Sequence, residues 1–209
     1  MISKIQYISQ PDTRGSHLEN VKKALDAGCT WVQLRVKNRL LDWVYREAES
    51  VKALCGTYSA TFIVNDFVQV AKDLEADGVH LGLQDGSIAV ARTILGKEKI
   101  IGGTANTFED IVKRHNEGVD YIGLGPFAFT QTKEKLSPIL GITGYEHIIR
   151  KMSQADIQTP VIAIGGIKEK DIAGLIDIGV YGFAMSGLLN EHPNPQNIFK
   201  QLAAGNVEV

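Results

Sequence analysis

The chain has 209 residues, of which 44% are hydrophobic and 22% are charged, and its formal net charge at pH 7 is −2. These values suit one soluble globular domain. The small net charge excludes a broad electrostatic field that would attract nucleic acid or an anionic membrane, so local charges must bind any anionic ligand.

The two cysteines, Cys29 and Cys55, form neither a C-x-x-C motif nor a spacing typical of metal sites. We therefore expect two reduced and mostly buried thiols. The first ten residues lack the apolar run of a secretory signal, and no stretch approaches the ~20 apolar residues that span a bilayer. From these features we expect a cytoplasmic protein.

Short apolar runs alternate with amphipathic segments along the whole chain. The runs that predict β-strands are Ile5 to Ser9, Trp31 to Leu34, Thr61 to Val64, Gly78 to Leu81, Lys99 to Ile101, Tyr121 to Leu124, Pro160 to Ile164 and Tyr181 to Met185. The segments that predict helices are Leu18 to Ala27, Leu41 to Leu54, Phe67 to Leu74, Ile88 to Leu95, Thr107 to His115, Tyr145 to Met152, Lys168 to Ile178 and Pro195 to Leu202.

Strict alternation of this kind indicates parallel strands joined by right-handed crossovers. Eight strand–helix units in about two hundred residues predict an α/β fold with a single (β/α)₈ TIM-barrel domain over residues 1–209. In this architecture the catalytic face lies at the C-terminal ends of the strands. Those ends carry polar side chains or glycine pairs, namely Gln33, Arg35, Lys37, Asn65, Asp66, His80, Gln84, Asp85, Thr104, Asn106, Thr130, Thr132, Lys133, Gly165-Gly166 and Ser186-Gly187.

Two aspartates, Asp66 and Asp85, close adjacent strands, so their carboxylates can approach each other. A Mg²⁺ ion that also touches a substrate phosphate would relieve the repulsion between them. The alternative is that each aspartate caps the helix after its strand, and the position of Asp66 directly before Phe67 suits that role. The sequence alone leaves both interpretations open.

Anion donors follow several other strands. Arg35 and Lys37 share one strand face and suit a diphosphate, although a solvated charged rim is equally consistent. The two hydroxyls and one ammonium between Thr130 and Lys133 suit a phosphate. Gly165-Gly166 and Ser186-Gly187 occupy the usual phosphate-binding position of such barrels, unless they only form tight turns. Together these features suggest two phosphorylated substrates, one of them a diphosphate.

His80 stands at a strand end, where it suits an acid or base near neutral pH. A packed histidine that is satisfied by one hydrogen bond is the favoured interpretation. No convincing Ser/His/Asp or Cys/His set accompanies it.

In their order along the chain, these strand ends resemble the thiamine-phosphate synthase (thiamine-phosphate pyrophosphorylase) family over essentially the whole length. The motifs that carry the resemblance are Gln33-Leu-Arg-Val-Lys37, Val64-Asn-Asp66, Gly78-Val-His-Leu-Gly82 through Asp85, Gly102-Gly-Thr-Ala105, Tyr121-Ile-Gly-Leu-Gly-Pro126 with Thr130-Gln-Thr-Lys133, Ala163-Ile-Gly-Gly-Ile167 and Met185-Ser-Gly187. The resemblance implies a Mg²⁺-dependent transferase of thiamine diphosphate biosynthesis. It joins 4-amino-2-methyl-5-(diphosphooxymethyl)pyrimidine to a thiazole phosphate and releases diphosphate and thiamine phosphate.

The resemblance also implies roles for individual residues. Asp66 and Asp85 match the Mg²⁺ ligands. The positions that match substrate-binding residues are Gln33, Leu34, Arg35, Val36, Lys37, Asn65, Thr104, Thr130, Gln131, Thr132, Lys133, Gly166, Met185 and Ser186. Of these, Arg35, Lys37, Thr104 and Lys133 are implied to act in catalysis. Diphosphate leaves first in the implied reaction and the thiazole nitrogen attacks the resulting pyrimidine methyl cation, so the protein's task is positioning and charge stabilisation.

Four positions depart from the residues common in the family. Leu83 directly follows Gly82, where glutamine is common. Val36 stands where glutamate is usual, Gly103 where valine is common and Asn106 where histidine is common. These departures concern fine specificity rather than the diphosphate and metal set.

Three rival functions remain. A thiazole tautomerase on the same barrel needs neither diphosphate nor Mg²⁺, so the retained Asp66 and Asp85 favour the synthase. A Schiff-base aldolase would require a desolvated Lys133, and that residue lies among polar neighbours. A non-catalytic binder of thiamine phosphate would show no turnover. The expected partners are small-molecule substrates, without nucleic acid or membrane, and a homodimer stays open.

Overall fold

The computed structural model describes residues 2–130 and 137–204. Eight parallel strands form a closed barrel in which β8 pairs with β1. The strands are β1 Ile5–Ile8, β2 Trp31–Leu34, β3 Thr61–Asn65, β4 Gly78–Leu81, β5 Ile100–Ala105, β6 Tyr121–Leu124, β7 Val161–Ile164 and β8 Gly182–Met185. The predicted TIM barrel is therefore confirmed.

Helices follow the strands and surround the barrel. The α-helices in the described ranges are α1 Leu18–Asp26, α2 Leu41–Thr57, α3 Val68–Asp73, α4 Ile88–Leu95, α5 Phe108–Asn116, α6 Gly141–Gln154, α7 Ile172–Asp177, α8 Gly187–Glu191 and α9 Pro195–Ala204. A 3₁₀ turn, Glu169–Asp171, precedes α7. Thr107 and Asp110 form a reciprocal capping box at the start of α5.

Several element bounds differ from the sequence-based prediction; α6, for example, begins at Gly141 instead of Tyr145. β5 continues to Ala105 instead of ending at Ile101, because the backbone from Gly102 to Ala105 pairs with β6 although glycine is a poor strand former. Helix α8 was not predicted, since its five residues are too few to show a helical period.

The alternation of side chains along the strands divides the core into two layers. Outward-facing residues such as Leu34, Val64 and Ile101 pack against the helices. The inward-facing residues that fill the barrel centre include Trp31 and Tyr121. This division decides which residues after each strand can reach a site at the barrel mouth.

Cys29 and Cys55 are buried and unpaired, as expected. Burial raises the pKa of the Cys29 thiol to about 11 and that of Cys55 to about 12. None of the helices in the described ranges combines the length and the hydrophobicity needed to cross a bilayer.

Candidate active site

A cavity of about 760 Å³ lies at the C-terminal ends of the strands. Residues that are distant in sequence converge on its wall because the parallel strands that carry them all end at this face of the barrel. The predicted site residues that line it are Gln33, Arg35, Lys37, Asn65, Asp66, Asp85, Thr104, Thr130, Gly166, Met185 and Ser186. The strand ends thus form one continuous surface.

Leu34 and Val36 do not line the cavity. Their exposed fractions are 1% and 3%, and both pack in the outer core between barrel and helices. Neighbouring residues of a strand point to opposite faces, so these two face away from the site. Their side chains therefore do not reach a ligand in this cavity, and the apolar Val36 suits its surroundings without a polar partner. Substrate binding through the backbone at these two positions stays a prediction. Gln131, Thr132 and Lys133 lie outside the described residues, so their roles stay predictions.

Asp66 and Asp85 lie side by side at the ends of β3 and β4, and the Lys37 ammonium contacts Asp66. Burial and the hydrogen bond with Asp85 raise the pKa of Asp66 to about 6, although Lys37 acts in the opposite direction. Burial also acts to raise the pKa of Asp85, but the hydrogen bond with Asp66 and the Lys37 charge hold it below its usual range. The two carboxyl groups therefore titrate as a pair, in which Asp85 ionises first and Asp66 only near pH 6.

The structure rules out the interpretation in which both aspartates are helix caps. Phe67 occupies the N-cap position of α3 and no side chain caps that helix, while Ser87 caps α4. Asp66 adopts a φ of +68°, the left-handed region that Asp tolerates better than most residues. The Asp66 carboxylate contacts Asp85 and does not cap α3.

This carboxylate pair can hold a divalent cation. Within the described ranges, no group of three or more His, Cys, Asp or Glu side chains is arranged to hold a metal ion. A cation bound by Asp66 and Asp85 would therefore need further oxygen ligands from substrate and water, which is the usual situation of Mg²⁺. The donor set fits that ion.

Arg114 on α5 holds the ends of β4 and β5. It is 1% exposed, and its Nε donates to the Thr104 carbonyl at 3.1 Å while Nη2 donates to the Gly82 carbonyl at 2.9 Å. The Gly82 N–H donates in turn to Asp85 Oδ2 at 2.9 Å. Glu117 balances the buried charge at 2.7 Å. One guanidinium thus positions both Thr104 and the segment that carries Asp85.

Arg114 carries no signal in the sequence, because an arginine near a helix C-terminus is usually solvated. Gly103 provides its space: a Cβ atom there would lie 2.8 Å from Arg114 Cδ and 3.0 Å from Nε. Gly103 was noted only as a departure from the common valine. The close packing of Arg114 therefore explains why glycine, and not the common valine, stands at position 103.

A chain of hydrogen bonds runs through the barrel interior to the cavity wall. Gln33 Nε2 donates to Gln6 Oε1 at 2.8 Å, and Gln6 Nε2 donates to the Tyr121 hydroxyl at 3.2 Å. That hydroxyl lies 3.0 Å from His80 Nδ1, and His80 Nε2 lies 3.0 Å from Thr104 Oγ1. We call these five residues the interior chain. His80 is packed, as favoured, but both of its ring nitrogens have partners here.

A second histidine, His17, lies at the cavity and was not predicted as a site residue from the sequence. His17 is 3% exposed, lines the cavity, and lies 2.7 Å through Nδ1 from Ser9 Oγ, which accepts a hydrogen bond from the Arg35 N–H at 3.0 Å. Burial lowers the pKa of His17. Its position before α1 gave no periodic signal, so only the folded arrangement reveals the contact.

Gly165 and Gly166, the two glycines after β7, contact the backbone of the segment after β6. Ala128 N–H donates to the Gly165 carbonyl at 2.9 Å. Gly166 has a φ of +69°, and a Cβ atom there would lie 2.5 Å from the Phe129 carbonyl oxygen. The backbone that leads to Thr130 therefore rests directly on Gly166.

The fit between Gly103 and Arg114 is open to a stability test. Gly103→Val should displace Arg114 and lower the free energy of unfolding by about 1–3 kcal/mol, the usual cost of overpacking a core. Urea denaturation measures this change. Gly56→Ala in α2 is the matched control, since no atom lies within 4 Å of its added Cβ, and it should not destabilise the fold. If the free energy of unfolding of Gly103→Val equalled that of the wild type, the close packing of Gly103 against Arg114 would be contradicted.

Comparison with known proteins agrees with this geometry. A family model described as "Thiamine monophosphate synthase" matches residues 5–189. The thiamine-phosphate synthase of Flavobacterium psychrophilum is 52% identical over 202 residues, which cover 97% of this chain and 98% of the relative. That of Phocaeicola vulgatus is 47% identical over 192 residues, 92% of each chain.

A solved structure of thiamine phosphate pyrophosphorylase from Pyrococcus furiosus superimposes with a TM-score of 0.79 at 30% identity, and the match covers 96% of this chain and 94% of that one. The family predicted from the strand-end motifs is therefore confirmed. This chain belongs to the thiamine monophosphate synthase family.

Proposed function

We propose that this chain joins 4-amino-2-methyl-5-(diphosphooxymethyl)pyrimidine to a thiazole phosphate, with Mg²⁺ bound by Asp66 and Asp85. The observation that carries the proposal is the carboxylate pair beside Lys37, on the wall of a cavity that also contains the other anion donors. Family membership and the names of the relatives support a transferase of thiamine biosynthesis. A cytoplasmic location and a homodimer stay predictions.

The diphosphate end of the pyrimidine substrate is assigned to β2 and β3. Arg35, Lys37 and Asn65 lie on the cavity wall beside the carboxylate pair. Mg²⁺ would neutralise charge on the leaving diphosphate when bound. Arg35 and Lys37 stabilise that same charge as it develops, and Lys37 also offsets the charge of Asp66. Lys133 is proposed as a further contact to the diphosphate.

The thiazole phosphate is assigned to the opposite part of the cavity wall, where Gly166, Met185 and Ser186 follow β7 and β8. The Ser186 hydroxyl donates to the Ile8 carbonyl at 2.6 Å, so its backbone N–H is the group offered to the phosphate. Thr130 is seated beside Gly166 and supplies a hydroxyl, with Thr132 proposed to act alongside it.

The direct test is to incubate the protein with both phosphorylated precursors and Mg²⁺. Thiamine phosphate and diphosphate should appear in equal amounts, and chelation should stop the reaction. Binding without turnover would favour the non-catalytic rival, and isomerisation of a thiazole carboxylate phosphate without Mg²⁺ would favour the tautomerase.

Removal of one Mg²⁺ ligand should slow the reaction. Asp85→Asn should lower kcat by roughly a hundredfold at limiting Mg²⁺, the typical cost of losing one preorganised electrostatic contact in the transition state. Asp26→Asn, which removes an exposed partner of Lys22 on α1, is the control and should leave kcat unchanged. Near-normal activity of Asp85→Asn at low Mg²⁺ would refute the metal assignment.

A methyl group at Gly166 should weaken thiazole phosphate binding. In Gly166→Ala the added Cβ meets backbone atoms of Ala128 and Phe129 at 2.5–2.8 Å, and the positive φ adds strain. We expect the KM for thiazole phosphate to rise by roughly tenfold or more, the effect of losing one charge-assisted hydrogen bond. The KM for the pyrimidine diphosphate should change little. Steady-state kinetics with each substrate varied in turn measures both values. An equal rise in the two KM values would contradict this assignment.

A further inference from the structure

Asn106, which follows β5, contacts both ends of the chain segment that connects β6 to α6. We call residues 125–140 the β6–α6 connection; the structure describes its residues 125–130 and 137–140. Asn106 Nδ2 donates to the Gly125 carbonyl at the start of this connection. Asn106 Oδ1 accepts from the Ser137 hydroxyl at 2.9 Å near its end. One half-buried carboxamide therefore joins two segments that flank the predicted phosphate donors between Thr130 and Lys133.

The orientation of the Asn106 carboxamide follows from its partners. A backbone carbonyl only accepts hydrogen bonds, so the group that faces Gly125 is the Nδ2 amide. Oδ1 then faces Ser137, and the serine hydroxyl donates because Oδ1 has no hydrogen. The Asn106 backbone N–H donates to Asp110 Oδ2 at 2.9 Å, which fixes the residue at the start of α5. The direction of both side-chain bonds is therefore set by two carbonyl oxygens, each of which can only accept.

The start of the β6–α6 connection has further contacts that do not involve Asn106. Phe127 N–H donates to the Ile164 carbonyl, and Ala128 N–H donates to the Gly165 carbonyl, each at 2.9 Å. These bonds tie the start of the connection to the end of β7 and the glycine after it. Loss of the Asn106 side chain therefore leaves the start of the connection in place.

The far end of the connection depends more strongly on Asn106. Leu140 N–H donates to the Pro126 carbonyl at 3.0 Å, so this end pairs with the start. Ser137 precedes Leu140 and is the first described residue after Thr130. Among the described residues on this side of Thr130, the bond from Ser137 to Asn106 is therefore the contact that lies nearest to Thr130 along the chain.

Thr130 lies between the two ends that Asn106 joins. It lines the cavity, and the carbonyl of the preceding Phe129 lies against Gly166. Fixing Ser137 narrows the positions open to Thr130, because it closes the segment that contains both. A donor that is held in place before its ligand arrives binds that ligand more tightly, since the entropy of ordering the backbone has already been lost on folding.

We propose that Asn106 is a positioning residue, which through its bond to Ser137 holds the segment of Thr130 in place for the thiazole phosphate. The inference deepens the proposed function and takes from it the assignment of Thr130 to that ligand. Asn106 also lines the cavity, whereas Ser137 is not one of the described residues that do. A variant of Ser137 therefore tests positioning separately from any direct contact between Asn106 and a ligand.

Hydrogen exchange of the free protein tests the bond itself. Ser137→Ala should speed exchange of the Leu140 and Gly141 amides, which pair with the start of the connection, by roughly threefold to tenfold, the effect of one neutral hydrogen bond. In the same variant, amides of α2 should exchange at wild-type rates. Ser50→Ala, which removes a hydroxyl bond to the Arg46 carbonyl on α2, is the matched control and should leave both amides unchanged. Wild-type rates at both amides in Ser137→Ala, or faster exchange throughout the barrel, would overturn the proposal.

Calorimetric titration with thiazole phosphate tests the consequence for binding. Ser137→Ala should raise the Kd by roughly threefold to tenfold. Asn106→Ala, which loses both side-chain bonds, should raise the Kd at least as much, and Ser50→Ala should retain the wild-type value. A wild-type Kd in Ser137→Ala would overturn the proposal, because weaker binding by Asn106→Ala would then report a direct contact with the ligand.

The double variant shows whether Asn106 acts through Ser137. Adding Ser137→Ala to Asn106→Ala should raise the Kd by less than about twofold more, since both changes remove the same bond. Effects that multiply would overturn the proposal. The exchange measurement needs neither ligand nor turnover, so absence of thiamine phosphate from the wild-type reaction would refute the proposed function and leave the exchange result unaffected.

Discussion

The alternation of side chains in a closed parallel barrel is the constraint on which the rest of this structure depends. Each strand sends one residue to the helical layer and the next to the interior, and no edge strand relaxes the rule. On β2 and its extension, Gln33, Arg35 and Lys37 reach the cavity while Leu34 and Val36 enter the outer core. A catalytic surface and a hydrophobic core are thus built from the same short segments.

This arrangement places polar groups where water is scarce, and most of them have a partner, although the buried Trp31 Nε1 has none among the described residues. Asp66 lies between Asp85 and the Lys37 ammonium, and Arg114 satisfies two strand-end carbonyls. The interior chain shows the same principle with neutral groups. Because some of these partners, namely Gln33, His80 and Thr104, also face the cavity, hydrogen bonding inside the barrel influences what the wall can offer to a ligand.

Much of this could be predicted from the sequence, because short apolar runs and strand-end motifs are local features. The barrel, its strand order and the position of the carboxylates follow from them. The outward orientation of the Val36 side chain was not predicted, because a motif does not tell which side of the barrel each member faces. Arg114 and the roles of His80 and Gln6 were missed because their partners lie on other strands and helices, at sequence separations that no local pattern records.

The central claim is that Asp66 and Asp85 bind the diphosphate through Mg²⁺. It is tested most directly by calorimetric titration of the protein with diphosphate, in the presence and absence of Mg²⁺. The wild-type affinity should rise by at least about tenfold, or 1.4 kcal/mol, when Mg²⁺ is present, and the Asp66→Asn/Asp85→Asn variant should lose that gain. An equal gain in the double variant would contradict the account.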